Sequence, residues 1–398
     1  MMDGSVDRQA ALQAFRANFP GLNGQVYFDV AARGLVSTPV RAAIDRFLDS
    51  RMVGGDKPAM FEAVERARAN FARLIGADAD DVALTKNISD GINAVAASLD
   101  WRAGDNVVLA TELEHPANIL PWHNLARRAG VTLKGVAADS GDMPIEAMLA
   151  AIDDRTRAVA VSSVTFSPGF RTDLAALAGA CRAKDAILVV DAAQSAGVLA
   201  TDVKALGVDV LAASTQKGLL GLYGLGLLYV RPALAATLAP AYLSRMGVAL
   251  DSEHEAASGG FEDFRYAKGA RRFDVGNFNY LGAVAAGQAM DDLLSLGPET
   301  VEAHILGLAR RLRDGMEQQG LPVFRPPTPE AESHIVAIGH GLGDVHDGTD
   351  DGDMAALSAH LSDNGVAHSI RRGVLRLSLH AYNDAADVER TIDLAANI

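Results

Sequence analysis

The sequence predicts an α/β protein: a mainly parallel sheet covered by helices, followed by a smaller α+β unit. Three observations predict it. Six apolar runs of four to six residues recur between positions 107 and 230, bounded by Gly, Asp or Arg. Amphipathic stretches separate several of them. Beyond Arg231-Pro232 the pattern changes to two long helices, a few short strands and a last helix. Strands alternating with helices are covered on both faces, which favours parallel pairing.

In order, the runs are 107–110, 131–136, 158–161, 187–190, 208–212 and 225–230. Between the third and fourth, residues 173–184 carry Leu174, Leu177, Ala178 and Cys181 at helical spacing. Residues 243–273 are rich in Gly, Ser and charge and read as a long excursion. Helices follow at 281–296 and 299–319, then a strand at 335–338 and a loose stretch at 339–352. A helix at 353–363, strands at 367–370 and 374–378, and a helix at 385–396 complete the chain. The expected division is a large domain over 21–265 and a small one from 1–20 with 266–398. Ligands of such sheets bind beyond the carboxyl ends of the strands, so the chemistry should follow the apolar runs.

Composition narrows the class. The chain has 398 residues, 49% hydrophobic and 22% charged, which is ordinary for a globular enzyme. No apolar run approaches the roughly 20 residues that span a bilayer. The start, MMDGSVDRQAALQAF, has no basic segment ahead of an apolar core, so no secretory signal is expected. A single cysteine, Cys181, rules out an intramolecular disulfide and fits a reducing compartment. A net charge of −14 argues against nucleic acid or an anionic membrane as partner. The expectation is a cytoplasmic protein.

The chemistry is carried by VVDAAQSAG at 189–197 and DVLAASTQKGLLGLYGLGLLYV at 209–230. Asp191 follows one strand, and Lys217 follows another 26 residues later. A pyridinium cofactor needs such a pair: a carboxylate to keep the ring nitrogen protonated and a lysine for a Schiff base. Gln194 could donate to the ring's phenolate oxygen. Spacing alone equally suits a helix-capping Asp and a surface lysine. Five further segments join these two: YFDVAARG (27–34), LTKNISDGINAVAASL (84–99), GDNVVLATELEHPANILPW (104–122), RRFDVGNFNYLG (271–282) and RRGVLRLSLHAYND (371–384). Together they resemble the class V aminotransferase family, which includes cysteine desulfurases, selenocysteine lyases, kynureninase and isopenicillin N epimerase-like proteins.

That resemblance implies the pyridoxal 5′-phosphate (PLP)-dependent transferase fold type I, with a mainly parallel seven-stranded sheet and a small α+β domain. It implies PLP on Lys217, with Asp191 at the ring nitrogen, Gln194 at the phenolate and His115 stacked on the ring. The phosphate ligands by position are Ile88, Ser89, Ser214 and Gln216. Ser89 and the amides of residues 88–90 would offer donors at the positive end of a helix dipole. Ile88 stands where the family has threonine, and Gln216 where members often have histidine. Phosphate charge must therefore be met partly elsewhere, with Lys86 a candidate. Asn277, beside Gly276, matches a residue that completes the phosphate site across a dimer interface, which implies a homodimer with shared active sites. Arg376 would hold the α-carboxylate of a small amino-acid substrate in a bidentate pair.

Departures from the pattern matter as much. Between Val366 and Arg376 there is no cysteine and no room for the long loop a desulfurase needs. Cys181 lies in a predicted helix with apolar neighbours, an inert core position. Persulfide chemistry on the protein is therefore not expected. Phe166 replaces an asparagine many relatives place near the phenolate, leaving that contact to Gln194, alone or with Thr165 and Ser167. Arg33 stands where desulfurases often have a small hydroxyl residue. It could read a second carboxylate or another anionic group, or pair with Asp29; Arg245 is a similar candidate. HDGTDDGD at 346–353 lacks the glutamate that closes a calcium loop, position 358 being Ser, and reads as a solvated acidic loop. His340 and His346 are spaced too irregularly for zinc, so no metal is expected. The functional expectation is transamination of an amino acid. The alternatives are a C–S lyase working by β-elimination and a non-catalytic PLP-binding protein. Retention of Lys217, Asp191, Gln194 and His115 together argues against the last.

Overall fold

A computed structural model describes residues 3–138, 141–249, 264–343 and 346–398. Its centre is a seven-stranded sheet. Across it lie Val82–Thr85, Gly226–Val230, Val210–Ser214, Ile187–Asp191, Thr156–Ser162, Asn106–Leu109 and Thr132–Gly135. Only Gly226–Val230 runs against its neighbours; the four strand contacts it does not make are all parallel, so parallel pairing dominates.

Alternation along the strands explains the burial. In Ile187–Asp191, Leu188 and Val190 enter one core while Ile187 and Val189 enter the other. The first core takes in Phe71, Ala286 and Leu177 from the helices Lys57–Leu74, Tyr280–Leu296 and Leu174–Ala183. The second takes in Ile92, Val95 and Trp122 from the helices Ile88–Ala96 and Leu120–Ala129. A strand buried on both faces must be apolar throughout, which is why the central runs were readable as continuous.

A three-stranded antiparallel sheet, Ile335–Ile338, Val374–Ser378 and Ser369–Arg371, forms the C-terminal layer. It is stitched to the N-terminal segment. The Ser378 N–H donates to the Phe28 carbonyl at 2.7 Å, and the Ser378 hydroxyl accepts from the Ala31 N–H at 2.9 Å. Residues 29–33 are thereby brought beside Arg376.

Three expectations need correction. Val82–Thr85 is a strand that the apolar-run pattern misses, because it is short and flanked by Asp80, Asp81 and Lys86. The run at 208–212 forms its strand two residues later, as Val210–Ser214, which leaves Lys217 three residues past the strand end. The expected strand at 367–370 is two strands: Val366–Ala367 pairs in parallel with Val26–Tyr27, and Ser369–Arg371 joins Val374–Ser378. His368 turns the chain between them, its Nδ1 on the Val366 carbonyl and its Nε2 on the Ser358 hydroxyl. Of the excursion at 243–273, positions 250–263 lie outside the described residues; Val248–Ala249 pairs antiparallel with Arg265–Tyr266. No helix among the described residues is long and apolar enough to cross a membrane.

Candidate active site

Three parallel strands end side by side at Ser162, Asp191 and Ser214. Asp191 is buried and accepts the Ala193 N–H at 2.8 Å. Burial pushes its carboxyl up, opposed by that bond and by the charge of Lys217. Lys217 is itself buried, and burial lowers its amine to about 8; Asp191 opposes this, while Arg376 and Arg371 add to it.

The turn carrying Lys217 is set by main chain. Leu220 N–H donates to the Lys217 carbonyl at 2.9 Å and Gly221 N–H to Thr215 at 2.7 Å. Leu220 takes φ +55°, a left-handed conformation costly for leucine. Three glycines let backbone meet backbone here. Gly34 N–H donates to Gln216 at 2.8 Å, and a β-carbon on Gly34 would sit 2.5 Å from the Lys217 carbonyl oxygen. A β-carbon on Gly197, at φ +81°, would collide with the Gly218 carbonyl, and one on Gly218 would approach the Ala196 oxygen to 2.5 Å. His380 Nε2 reaches the Gly218 carbonyl at 2.9 Å.

Around Lys217 lies an inner cavity of about 210 Å³. Its wall contains Ile88, Ser89, His115, Asp191, Gln194, Ser214, Gln216 and Lys217, eight of the residues expected from sequence. An outer cavity of about 700 Å³ shares His115, Phe166, Gln216 and Lys217 and adds Arg33 and Arg376. Asn277 is exposed and lines neither cavity. Lys86 and Arg245 also lie outside both linings. Thr165 and Ser167 are buried elsewhere: the Thr165 hydroxyl accepts from Gly169 and Phe170, and Ser167 faces the Arg371 carbonyl at 3.5 Å. Neither lines either cavity, whereas Gln194 lines the inner one.

His115 accepts the Ala117 N–H at Nδ1, 3.1 Å away, which leaves the proton on Nε2. Burial, then the charge of Lys217, lowers its pKa to about 4, so the ring is neutral. Beside it Glu114 is buried and accepts the Ser162 N–H and hydroxyl, both at 2.6 Å, and Asn118 Nδ2 at 2.8 Å. Burial raises Glu114 to about 7. Arg376 is 1% exposed, with Nη1 donating to the Phe166 carbonyl at 2.8 Å and its guanidinium 5.3 Å from the Phe166 ring centre. Its Nε has no partner, and no carboxylate among the described residues lies within 4 Å of it. Burial lowers it to about 10.

These residues fit PLP. A buried carboxylate with a single backbone donor calls for a cation, which a protonated ring nitrogen provides. Gln194 donates one Nε2 hydrogen to the Ala31 carbonyl at 3.1 Å, and the second N–H of that amide is the kind of donor a phenolate oxygen needs. Helix Ile88–Ala96, capped by Asn87, directs its free N–H groups at the same cavity, as an anionic phosphate requires.

The sequence model of the family described as Aminotransferase class-V matches residues 26–391. The chain belongs to the class V aminotransferase family. This class V protein is 30% identical over 382 residues to "Uncharacterized aminotransferase YcbU" of Bacillus subtilis, covering 96% of each chain. It is 30% identical over 406 residues to a cysteine desulfurase of Dickeya dadantii, covering 95% of this chain and 94% of the relative. The solved apo structure of a cysteine desulfurase from Thermococcus onnurineus superposes with a TM-score of 0.82 at 26% identity, covering 96% and 97%. The class V chain is thus a PLP-dependent enzyme of fold type I. Its one cysteine, Cys181, lines neither cavity; it is buried in helix Leu174–Ala183, and burial pushes its thiol up to about 12.

Several residues of the site were not found from sequence. Asn87 and Ser162 line the inner cavity, and Arg371, His346 and Asp347 the outer one. The acidic stretch at 346–353 is exposed or half-buried throughout, as a solvated loop would be, and His346 in addition stacks on Phe166 at 5.4 Å and lies 6.3 Å from His115. A histidine opening a loop ahead of a strand-borne arginine was the only available signal.

Proposed function

We propose that this class V enzyme is an aminotransferase that binds an amino acid through its α-carboxylate at Arg376. The supporting observation is Arg376 itself: a buried guanidinium with an unpartnered Nε, in the same cavity as Lys217. A bidentate carboxylate would supply the anion that this cation lacks. Bound PLP supplies a protonated pyridine ring that draws electrons from the bonds at the substrate Cα. Asp191 holds the ring-nitrogen proton, and Gln194 faces the phenolate. Ile88, Ser89, Ser214 and Gln216, with the N–H groups of helix Ile88–Ala96, take the phosphate. Neutral His115, in the wall of the inner cavity, would stack on the ring without adding charge. Lys217, lowered to about 8, is a base of suitable strength to take the Cα proton and return it. Transamination asks nothing more of these side chains, and no thiol lines the cavity to accept a leaving sulfur.

The same reading assigns Asn277, exposed and outside this chain's own cavity, to the phosphate site of a second copy in a cytoplasmic homodimer. The test is a spectral screen of amino acids against purified protein. Aminotransfer predicts that an amino donor alone changes the cofactor spectrum and releases one equivalent of 2-oxo acid. Lys217→Ala abolishes the borohydride-sensitive visible band. Continuous release of ammonia and pyruvate with an unchanged spectrum makes the protein a lyase. A protein that takes up no PLP overturns the assignment of the site.

A further inference from the structure

We propose that the amino acid taken by this site carries a second anionic group on its side chain, held by Arg33 and Arg371 at the outer cavity. This inference rests on the reading of Arg376 as the α-carboxylate ligand. A monoanionic amino acid needs one guanidinium, yet three line the outer cavity: Arg33, Arg371 and Arg376. Arg33 has no carboxylate within 4 Å among the described residues; its backbone N–H donates to the Asp29 carbonyl at 3.0 Å, its carbonyl accepts from the Tyr27 hydroxyl at 3.0 Å, and its guanidinium interacts with that same neutral hydroxyl.

Arg371 is paired, and its partner is informative. Its Nη1 meets Asp347 Oδ1 at 2.8 Å. Asp347 comes from the 346–348 segment, which is fastened to the strand hairpin by Arg372 N–H on the His346 carbonyl at 3.3 Å and Gly373 N–H on the Gly348 carbonyl at 3.1 Å. The Asp347 side chain is 64% exposed and that of Arg371 22%. Such an exposed pair contributes little, because water solvates the carboxylate almost as well as the arginine does. A substrate anion arriving at the less exposed side of Arg371 can replace it at small cost.

Charge bookkeeping gives the same answer. Asp29 and Asp347 are the carboxylates lining the outer cavity with the three guanidiniums. One α-carboxylate balances that set while Asp347 stays in. Asp347 turned to solvent leaves a cation for a second anion, and Arg33 stands in the same wall. Asp347 is thus a stand-in for the substrate's distal group. The chemical class is a dicarboxylic amino acid or its sulfinate analogue.

The decisive measurement uses PLP-loaded enzyme and two non-reacting four-carbon acids, succinate and butyrate, titrated by calorimetry. Succinate is expected to bind at least tenfold more tightly, and the preference to fall below threefold in the Arg33→Gln, Arg371→Gln double variant. Asp347→Ala, on an exposed loop, is expected to tighten succinate severalfold by removing its competitor. Equal affinity for the two acids in the native enzyme, or no gain in Asp347→Ala, overturns the proposal. Arg376→Gln separates the two readings. Loss of butyrate binding without any succinate preference leaves Arg376 in place and sinks only the second anion. Butyrate binding indifferent to Arg376→Gln means that the α-carboxylate reading itself has failed.

Discussion

Replacing Arg376 by methionine should move stability and substrate binding in opposite directions. The guanidinium is 1% exposed, and burial lowers its pKa from 12.5 to about 10. Between those two values the unfolded chain binds the proton that the folded chain has released, so stability rises with pH there. Below about 10 the folded protein carries the whole penalty, about 3 kcal/mol. Methionine fills a similar volume without charge and removes it. Against that gain, the Phe166 carbonyl loses its donor, which costs about 1–3 kcal/mol. The net expectation is a protein as stable as the parent, or more stable by up to about 2 kcal/mol. Substrate affinity should fall by about 2–5 kcal/mol, roughly 30- to 5,000-fold, with loss of a buried charge pair. Denaturant midpoints at pH 7 and spectral titration with amino acids measure the two effects. Destabilisation by more than about 2 kcal/mol would mean that a partner satisfies the guanidinium in the folded protein, and the argument would fail.

Four more outcomes follow from the same physics. Recombination of apoprotein with PLP requires the neutral Lys217 amine, so its rate should rise with pH through a midpoint of about 8; a midpoint at the ordinary 10.5 refutes the burial argument. Glu114, raised from 4.5 to about 7, keeps its proton in the folded state over that interval while the unfolded chain has lost it, so stability falls by about 3 kcal/mol as pH rises through it. Glu114→Gln should flatten that profile, and an unchanged slope in urea titrations counts against it. Cys181, pushed up to about 12, should react with thiol reagents only after denaturation; labelling of native protein within minutes would contradict its placement. Gly197→Ala should cost about 2–4 kcal/mol and weaken cofactor retention, both readable by melting with and without PLP.

What could be read from sequence was what local pattern dictates. Strands buried on both faces print continuous apolar runs, and Asp191 and Lys217 follow two of them. Val82–Thr85 escaped because four residues between charged neighbours carry no period. Thr132–Gly135 reads as a buried run, yet it is the edge strand, with its residues exposed or half-buried. Glu114 next to His115 looks like a surface charge; only the fold supplies its three donors. Arg371 and Asp347 illustrate the harder case. Their meeting depends on the segment 346–348 folding back on a hairpin more than twenty residues later, which no local pattern records.

The backbone contacts at Gly34, Gly197 and Gly218 have a consequence for how this enzyme could diverge. They anchor the Lys217 turn largely through main chain, with His380 Nε2 on the Gly218 carbonyl as an added side-chain contact, so the position of Lys217 depends little on side-chain identity in the outer wall. Arg33, His346, Asp347 and Arg371 can then be exchanged with little disturbance of the cofactor seat. A mutational library restricted to those four positions would explore new substrates on an unchanged catalytic frame, whereas one reaching the three glycines would yield mostly inactive proteins.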